Sequence, residues 1–162
     1  MAPKTNAARK LDQLGIAYEL RSFPIESEHL PAAEYARRLG VPESQVYKTL
    51  LVRGDRRGPL FAVIAADAEL DFKALAKASG DRSIEMVPLA QLTAITGYVR
   101  GGTTALAAKK PLPVFLDERA LREAQIAVSA GTRGVQLVLS PHDYVRATGA
   151  TVGALSRQAT PE

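Results

Sequence analysis

The sequence predicts a mixed α/β fold, and three observations carry that reading. Short apolar runs with strand character alternate with helical patterns. Some neighbouring runs are joined by tight turns and others by helix-length crossovers, so antiparallel and parallel pairing both occur. No repeat, linker or low-complexity tract divides the 162 residues, so a single domain over 1–162 is the simplest organisation.

The elements follow in order. Thr5 caps a first helix with Ala8, Leu11 and Leu14 at helical spacing, and Gly15 stops it. Residues 16–23 read as a strand that Pro24 breaks, followed by a polar loop. Pro31 suits the first turn of a second helix, which Gly40 ends. Val46-Tyr47-Lys48-Thr49-Leu50-Leu51-Val52 reads as a buried strand, and Gly54-Asp55-Arg56-Arg57-Gly58 as the hairpin loop to Leu60-Phe61-Ala62-Val63-Ile64-Ala65. Asp71 caps a helix through Lys77, with Leu75 inward and Gly80 beyond its end. A short strand over 83–87 follows, and then a helix after Pro88 with Leu89, Leu92 and Ile95 on one stripe. Strands are expected at 114–116, 126–130 and 135–139. A last helix runs from Pro141 to Ala147, and the tail 159–162 is expected to fray. The total is about seven strands with four or five helices.

Composition restricts the chemistry. The chain is 46% hydrophobic, lacks Cys and Trp, and carries a net charge of +4. Disulfides, thiolate metal sites and a cysteine nucleophile are excluded. The two histidines, His29 and His142, are far apart and read as surface residues, and no metal-ligand spacing or Walker-type loop occurs. No metal or cofactor is expected. The N-terminus lacks a signal-peptide core and no apolar run reaches the ~20 residues of a membrane span, so a cytoplasmic location is expected. The mild basic charge permits a nucleic-acid partner without requiring one.

Lys48 is the residue that stands out. Alternation places it with Val46, Leu50 and Val52 on one strand face. An unpaired ammonium in apolar surroundings is costly. Either its stem snorkels to the rim or it faces a cleft. A second candidate is Gly97-Tyr98-Val99-Arg100-Gly101-Gly102-Thr103-Thr104, where paired glycines allow close main-chain approach and amides able to hold a developing oxyanion. On the glycine pair alone an ordinary tight turn is the favoured reading. The third is Val128-Ser129-Ala130-Gly131-Thr132-Arg133-Gly134. Ser129 could bond a substrate and Arg133 a phosphate, or the glycines simply close a hairpin. Basic residues at Lys109, Lys110 and Arg133 form a phosphate stripe only if they share a face. Asp143, at a helix start, suits capping.

Taken in order, VYKTLLV (46–52), TGYVRGG with the downstream KK (96–110) and VSAGTRG followed by LVLSPHDY (128–144) resemble the bacterial YbaK family. These are free-standing relatives of the editing domain inserted in prolyl-tRNA synthetases. The N-terminal KTNAARKLDQLGIAYEL is also similar to members. The resemblance implies a barrel-like mixed sheet with packed helices and an aminoacyl-tRNA deacylase that clears Cys-tRNA(Pro), with prolyl-tRNA synthetase as a candidate partner. It places the family lysine on Lys48, with Thr49 beside it. The glycine whose amide faces the substrate carbonyl falls on Gly101, the early-strand aromatic on Phe23, and the late acid on Asp143. It implies substrate contacts around Gly102, Thr103, Ser129 and Gly131. Two departures bear on substrate choice: Thr104-Ala105 stands where Ser-Pro is common, and Phe23 where tyrosine is. An Ala-, Ser- or Thr-specific deacylase and a non-catalytic tRNA- or synthetase-binding module are the alternatives.

Overall fold

The computed structural model describes residues 4–24 and 30–158. The expected positions of His29 and of the tail 159–162 lie outside the described residues. The described chain folds as mixed α/β structure with helices α1 (Asn6–Gln13), α2 (Ala32–Leu39), α3 (Phe72–Ser79), α4 (Leu89–Thr96) and α5 (Pro141–Thr148). Their ends follow local chemistry. Thr5 Oγ1 accepts the Ala8 N–H and Asp71 Oδ1 accepts the Ala74 N–H, each closing an N-terminus. At the end of α1, Gly15 N–H donates to the Asp12 carbonyl and Ile16 N–H to that of Leu11. This paired closure needs a left-handed residue, which Gly15 supplies at φ +69°.

Ten strands form three sheets rather than one barrel of about seven. The largest has the order β5 (Ile84–Met86), β2 (Tyr47–Gly54), β3 (Gly58–Ala65), β6 (Val114–Asp117), β9 (Thr151–Gly153). β2 pairs antiparallel with β3 and β5, while β3–β6 and β6–β9 are parallel. A second, antiparallel sheet has the order β1 (Glu19–Ser22), β8 (Val135–Leu139), β7 (Ile126–Thr132). β4 (Ala68–Leu70) pairs with β10 (Ser156–Gln158). The two larger sheets touch edge to edge through one parallel bridge, Val46 to Ala127. No closed ring forms among the described strands, because β2 and β7 are joined at that single point.

The three strands absent from the sequence reading, β4, β9 and β10, have three residues each, too few to display alternation. The early strand is shorter than expected. Its first residue, Ile16, belongs to the closure of α1 and is buried in the core.

The faces of β2 separate two cores. Tyr47 and Leu51 join Phe61, Val63, Leu116, Val128 and Leu137 between the larger sheets. Val52 and Leu50 join Leu60, Ile64, Leu75 and Leu155 under α3. Lys48 lies on this second face, opposite Ile64 on β3.

Candidate active site

A cleft of about 580 Å³ opens along β2. All six residues from Val46 to Leu51 line it. A cleft over one sheet face would meet only alternate residues, so this cleft meets the strand along its edge. That edge is available because β5 pairs only with Val52, Arg53 and Gly54.

Lys48 is half-buried and borders the cleft. Among the described residues it makes no hydrogen bond or ion pair. Burial lowers its pKa from the ordinary 10.5, against the opposing pull of Asp67 and Glu69. Thr49 lines the same cleft, but its hydroxyl is sealed from solvent and faces the buried phenol of Tyr144. What Thr49 presents to the cleft is therefore its main chain.

The two glycine segments, 97 residues and 128 residues into the chain, form one wall. Gly101 adopts φ +82°, which excludes most side chains without strain. Beside it, a Cβ on Gly102 would stand 3.1 Å from the main-chain nitrogen of Arg133. Arg133 Nε donates to the Arg100 carbonyl at 2.7 Å. Gly102 N–H and Thr103 Oγ1 both donate to the Val99 carbonyl, at 2.9 and 3.1 Å. These bonds fix the turn and leave the Gly101 amide without a partner among the described residues. Arg100, Gly101, Thr103, Ser129 and Arg133 all border the cleft.

Of the other expected site residues, Ser129 stays at the cleft and the rest stand outside its lining. The Ser129 hydroxyl accepts the Gly131 N–H at 3.1 Å. Gly131 itself is outside the cleft lining, and a Cβ there would meet the Tyr98 ring at 3.0 Å, so its glycine serves packing. Asp143 lies outside the cleft in the first turn of α5, where it pairs with Arg146 at 3.5 Å. The stabilising place of an acid at a helix start explains it. Phe23 is one step removed from the cleft. It meets the Tyr35 ring edge-on at 4.9 Å, with the Arg38 guanidinium 5.8 Å above it. Lys109 and Lys110 are exposed and outside the lining. Thr104 is fully buried, and its hydroxyl accepts the Leu106 N–H. The Thr104-Ala105 departure is thus turned into the loop, away from the cleft.

Sequence reasoning missed Tyr35 and Gln136. Gln136 Nε2 donates to the Tyr35 hydroxyl at 2.7 Å, and both line the cleft. Gln136 is a polar residue inside the apolar run Val135–Leu139, the same kind of signal that singled out Lys48. Also unexpected is the exposure of Leu89, 58% open to solvent. With Met86, Val87 and Leu92 it forms an apolar wall of the cleft, while Leu92 and Ile95 of the same stripe pack against the core as expected. Among the described residues no group of three or more potential metal ligands occurs, and no helix is long and apolar enough to cross a membrane.

The arrangement offers a half-buried cation, a free amide at a left-handed glycine turn and an open strand edge around one apolar-walled cleft. It suits an anionic, partly apolar ligand with a carbonyl to polarise.

A family model described as an aminoacyl-tRNA editing domain matches residues 28–147. A protein of Enterococcus faecalis (strain ATCC 700802 / V583), provisionally named Cys-tRNA(Pro)/Cys-tRNA(Cys) deacylase EbsC, is 42% identical over 145 residues. The match spans 90% of this chain and 88% of that protein. Among solved structures, one provisionally described as a trans-editing enzyme for prolyl-tRNA synthetase superposes with a TM-score of 0.83 at 22% identity. It covers 96% of this chain and 99% of that one. A structure of a hypothetical protein superposes with a TM-score of 0.84 at 26% identity, covering 94% and 99%.

Proposed function

Because the chain belongs to the aminoacyl-tRNA editing domain family, we propose that it is a free-standing deacylase that clears mischarged Cys-tRNA(Pro). The carrying observation is that Lys48 and the unpartnered Gly101 amide border one cleft. The relative's name, Cys-tRNA(Pro)/Cys-tRNA(Cys) deacylase, supports the cysteinyl ester as substrate.

In this reading Lys48 acts as a cation that anchors the terminal adenosine through its phosphate. The Gly101 amide donates to the ester carbonyl as charge develops on its oxygen. One such donor contributes roughly 3 kcal/mol to a barrier of this kind. The cysteinyl sulfur attacks its own carbonyl carbon. The new S–C bond forms as the ester C–O bond breaks, and the thiol proton passes to the departing ribose oxygen. The products are tRNA with a free hydroxyl and a cysteine thiolactone, which water then opens. Proximity within one bound substrate drives the step. A chain with no cysteine and no evident triad needs no nucleophile of its own for it. Lys109 and Lys110 outside the cleft and Arg133 at its border supply phosphate contacts, with the salt dependence typical of such contacts. Prolyl-tRNA synthetase, which makes the mischarged product, is the proposed supplier, and the cytoplasm the proposed place.

The buried position of Thr104 gives no support to a different amino acid from that departure. The test is loss of labelled amino acid from Cys-, Ala-, Ser- and Thr-charged tRNA, with wild type and Lys48→Ala. Selective release of Cys by wild type, lost in the variant, is expected. Equal rates in both proteins would sink the role of Lys48. Release of Ala with Cys esters untouched would overturn the substrate. Binding of tRNA with no release of any amino acid would make the protein a binding module.

A further inference from the structure

The outer edge of β2 carries a gap in its pairing centred on Thr49. Ala66 N–H donates to the Val46 carbonyl at 2.8 Å, and β2 stays in register with β3 through Gly54. In an antiparallel ladder the outward and inward main-chain groups alternate. Val46, Lys48, Leu50 and Val52 therefore turn their N–H and C=O groups toward β3. Tyr47, Thr49, Leu51 and Arg53 turn theirs the other way. On that side the Val87 N–H takes the Leu51 carbonyl at 3.3 Å, and β5 continues from there. At the other end Val46 bridges Ala127. Thr49 stands between these two closures, and no described strand pairs with it on its outer side.

An aminoacyl ester is a single residue of main chain. Its ammonium and carbonyl have the spacing that one strand residue presents to another. We propose, resting on the deacylase reading above, that the main chain of Thr49 binds the aminoacyl group as a one-residue antiparallel strand. The substrate ammonium donates to the Thr49 carbonyl, and the Thr49 N–H donates to the ester carbonyl alongside Gly101.

Direction then follows. In an antiparallel pair the group after the ligand's carbonyl falls opposite Lys48, which is where the ribose stands. The group before the ammonium falls opposite Leu50 and runs toward Val87. A peptide or acyl group on the nitrogen would meet Val87, which already occupies Leu51. The edge thus selects a free aminoacyl ester over peptidyl or N-acylated tRNA. A deacylase working among translating ribosomes needs that distinction, because peptidyl-tRNA carries the same ester.

The test uses the nitrogen-15-labelled full chain and 3′-cysteinylamido-3′-deoxyadenosine, whose amide resists hydrolysis. Its N-acetyl form and its 3-mercaptopropionyl analogue, which lacks the amine, are compared. Expected are a saturable shift of the Thr49 amide resonance and an affinity loss of about tenfold or more for both analogues, the size of one lost charge-assisted hydrogen bond. The proposal is overturned by a Thr49 amide unmoved at saturation, by equal affinity for the N-acetyl form, or by failure of the cysteinyl compound to bind. Absence of Cys-tRNA(Pro) deacylation alongside the expected Thr49 shift would refute the proposed activity and leave the edge recognition standing.

Discussion

The hydroxyl of Thr49 faces the phenol of Tyr144 across the inner core, and each is sealed from solvent without a hydrogen bond in good geometry. Burial holds the Tyr144 phenol above its ordinary pKa, with Thr49 opposing. The pair shows that the Thr49 side chain belongs to the core, while its main chain belongs to the cleft.

An unpaired buried hydroxyl costs stability relative to an apolar group of the same shape. Tyr144→Phe is therefore expected to leave stability unchanged or raise it by up to about 1 kcal/mol, with deacylation unaltered. Thermal unfolding checks this. A loss of stability would show that the phenol has a partner worth keeping.

Gly101 and Gly102 resist substitution for different reasons. A Cβ on Gly101 meets only the flexible Arg133 side chain at 3.5 Å, so the cost comes from φ +82°. That strain is about 1–2 kcal/mol for alanine and less for asparagine. A Cβ on Gly102 meets main chain of Thr132 and Arg133, which cannot move aside. Gly102→Ala is expected to cost about 1–3 kcal/mol and to be the most damaging of the three, with Gly101→Asn the mildest. Urea denaturation ranks them. Equal losses for Gly101→Asn and Gly102→Ala would contradict the assignment.

The difference between legible and hidden features is the difference between local and tertiary causes. The caps Thr5 and Asp71 and the helix-ending glycines Gly40 and Gly80 were legible, because each acts within a few residues. Lys48 was legible as a charge in an apolar strand. Its alternation gave the correct face, yet alternation says nothing of which strand edge lacks a neighbour. The contact of Gly102 with Arg133 joins segments about thirty residues apart, and no spacing rule predicts it. Asp143 resembled a site residue, but its helix position alone accounts for it. Gln136 carries the same kind of signal as Lys48, but an uncharged amide in a strand is less costly to bury than an ammonium and so marks a site less sharply.

Lys48 pairs a stability cost with its proposed role. Its pKa in the folded protein lies below the unfolded value of 10.5, because burial disfavours the ammonium. The penalty is fully present below the folded pKa and is relieved as pH rises toward 10.5. Lys48→Met removes the charge and keeps the length. It is expected to be more stable than wild type at pH 7, with the difference shrinking as pH approaches 10. Deacylation should fall about hundredfold, the scale of a misplaced substrate. Paired melts across that range check the sign. A variant less stable at pH 7 would mean that Asp67 and Glu69 hold the ammonium with net gain.

Asp81 gives the opposite pH signature. Its carboxylate accepts the Arg56 and Arg57 main-chain N–H groups at 2.9 and 2.8 Å and the Ser79 hydroxyl, clamping the β2–β3 turn. Burial raises its pKa, but these bonds outweigh burial and hold it below the ordinary 3.8. Gly54 completes the clamp, since a Cβ there would lie 2.1 Å from the carboxylate. A depressed carboxyl contributes stability that is present above the unfolded pKa and lost as pH falls through the folded one. Asp81→Asn turns one acceptor into a donor facing donors and is expected to cost about 1–3 kcal/mol at pH 7. The variant does not titrate at this position, so its deficit should narrow below pH 4, where wild type loses the contribution. Chemical denaturation at pH 7 and pH 3 decides it: a deficit that is constant between the two would mean the Asp81 charge has no part in holding the turn.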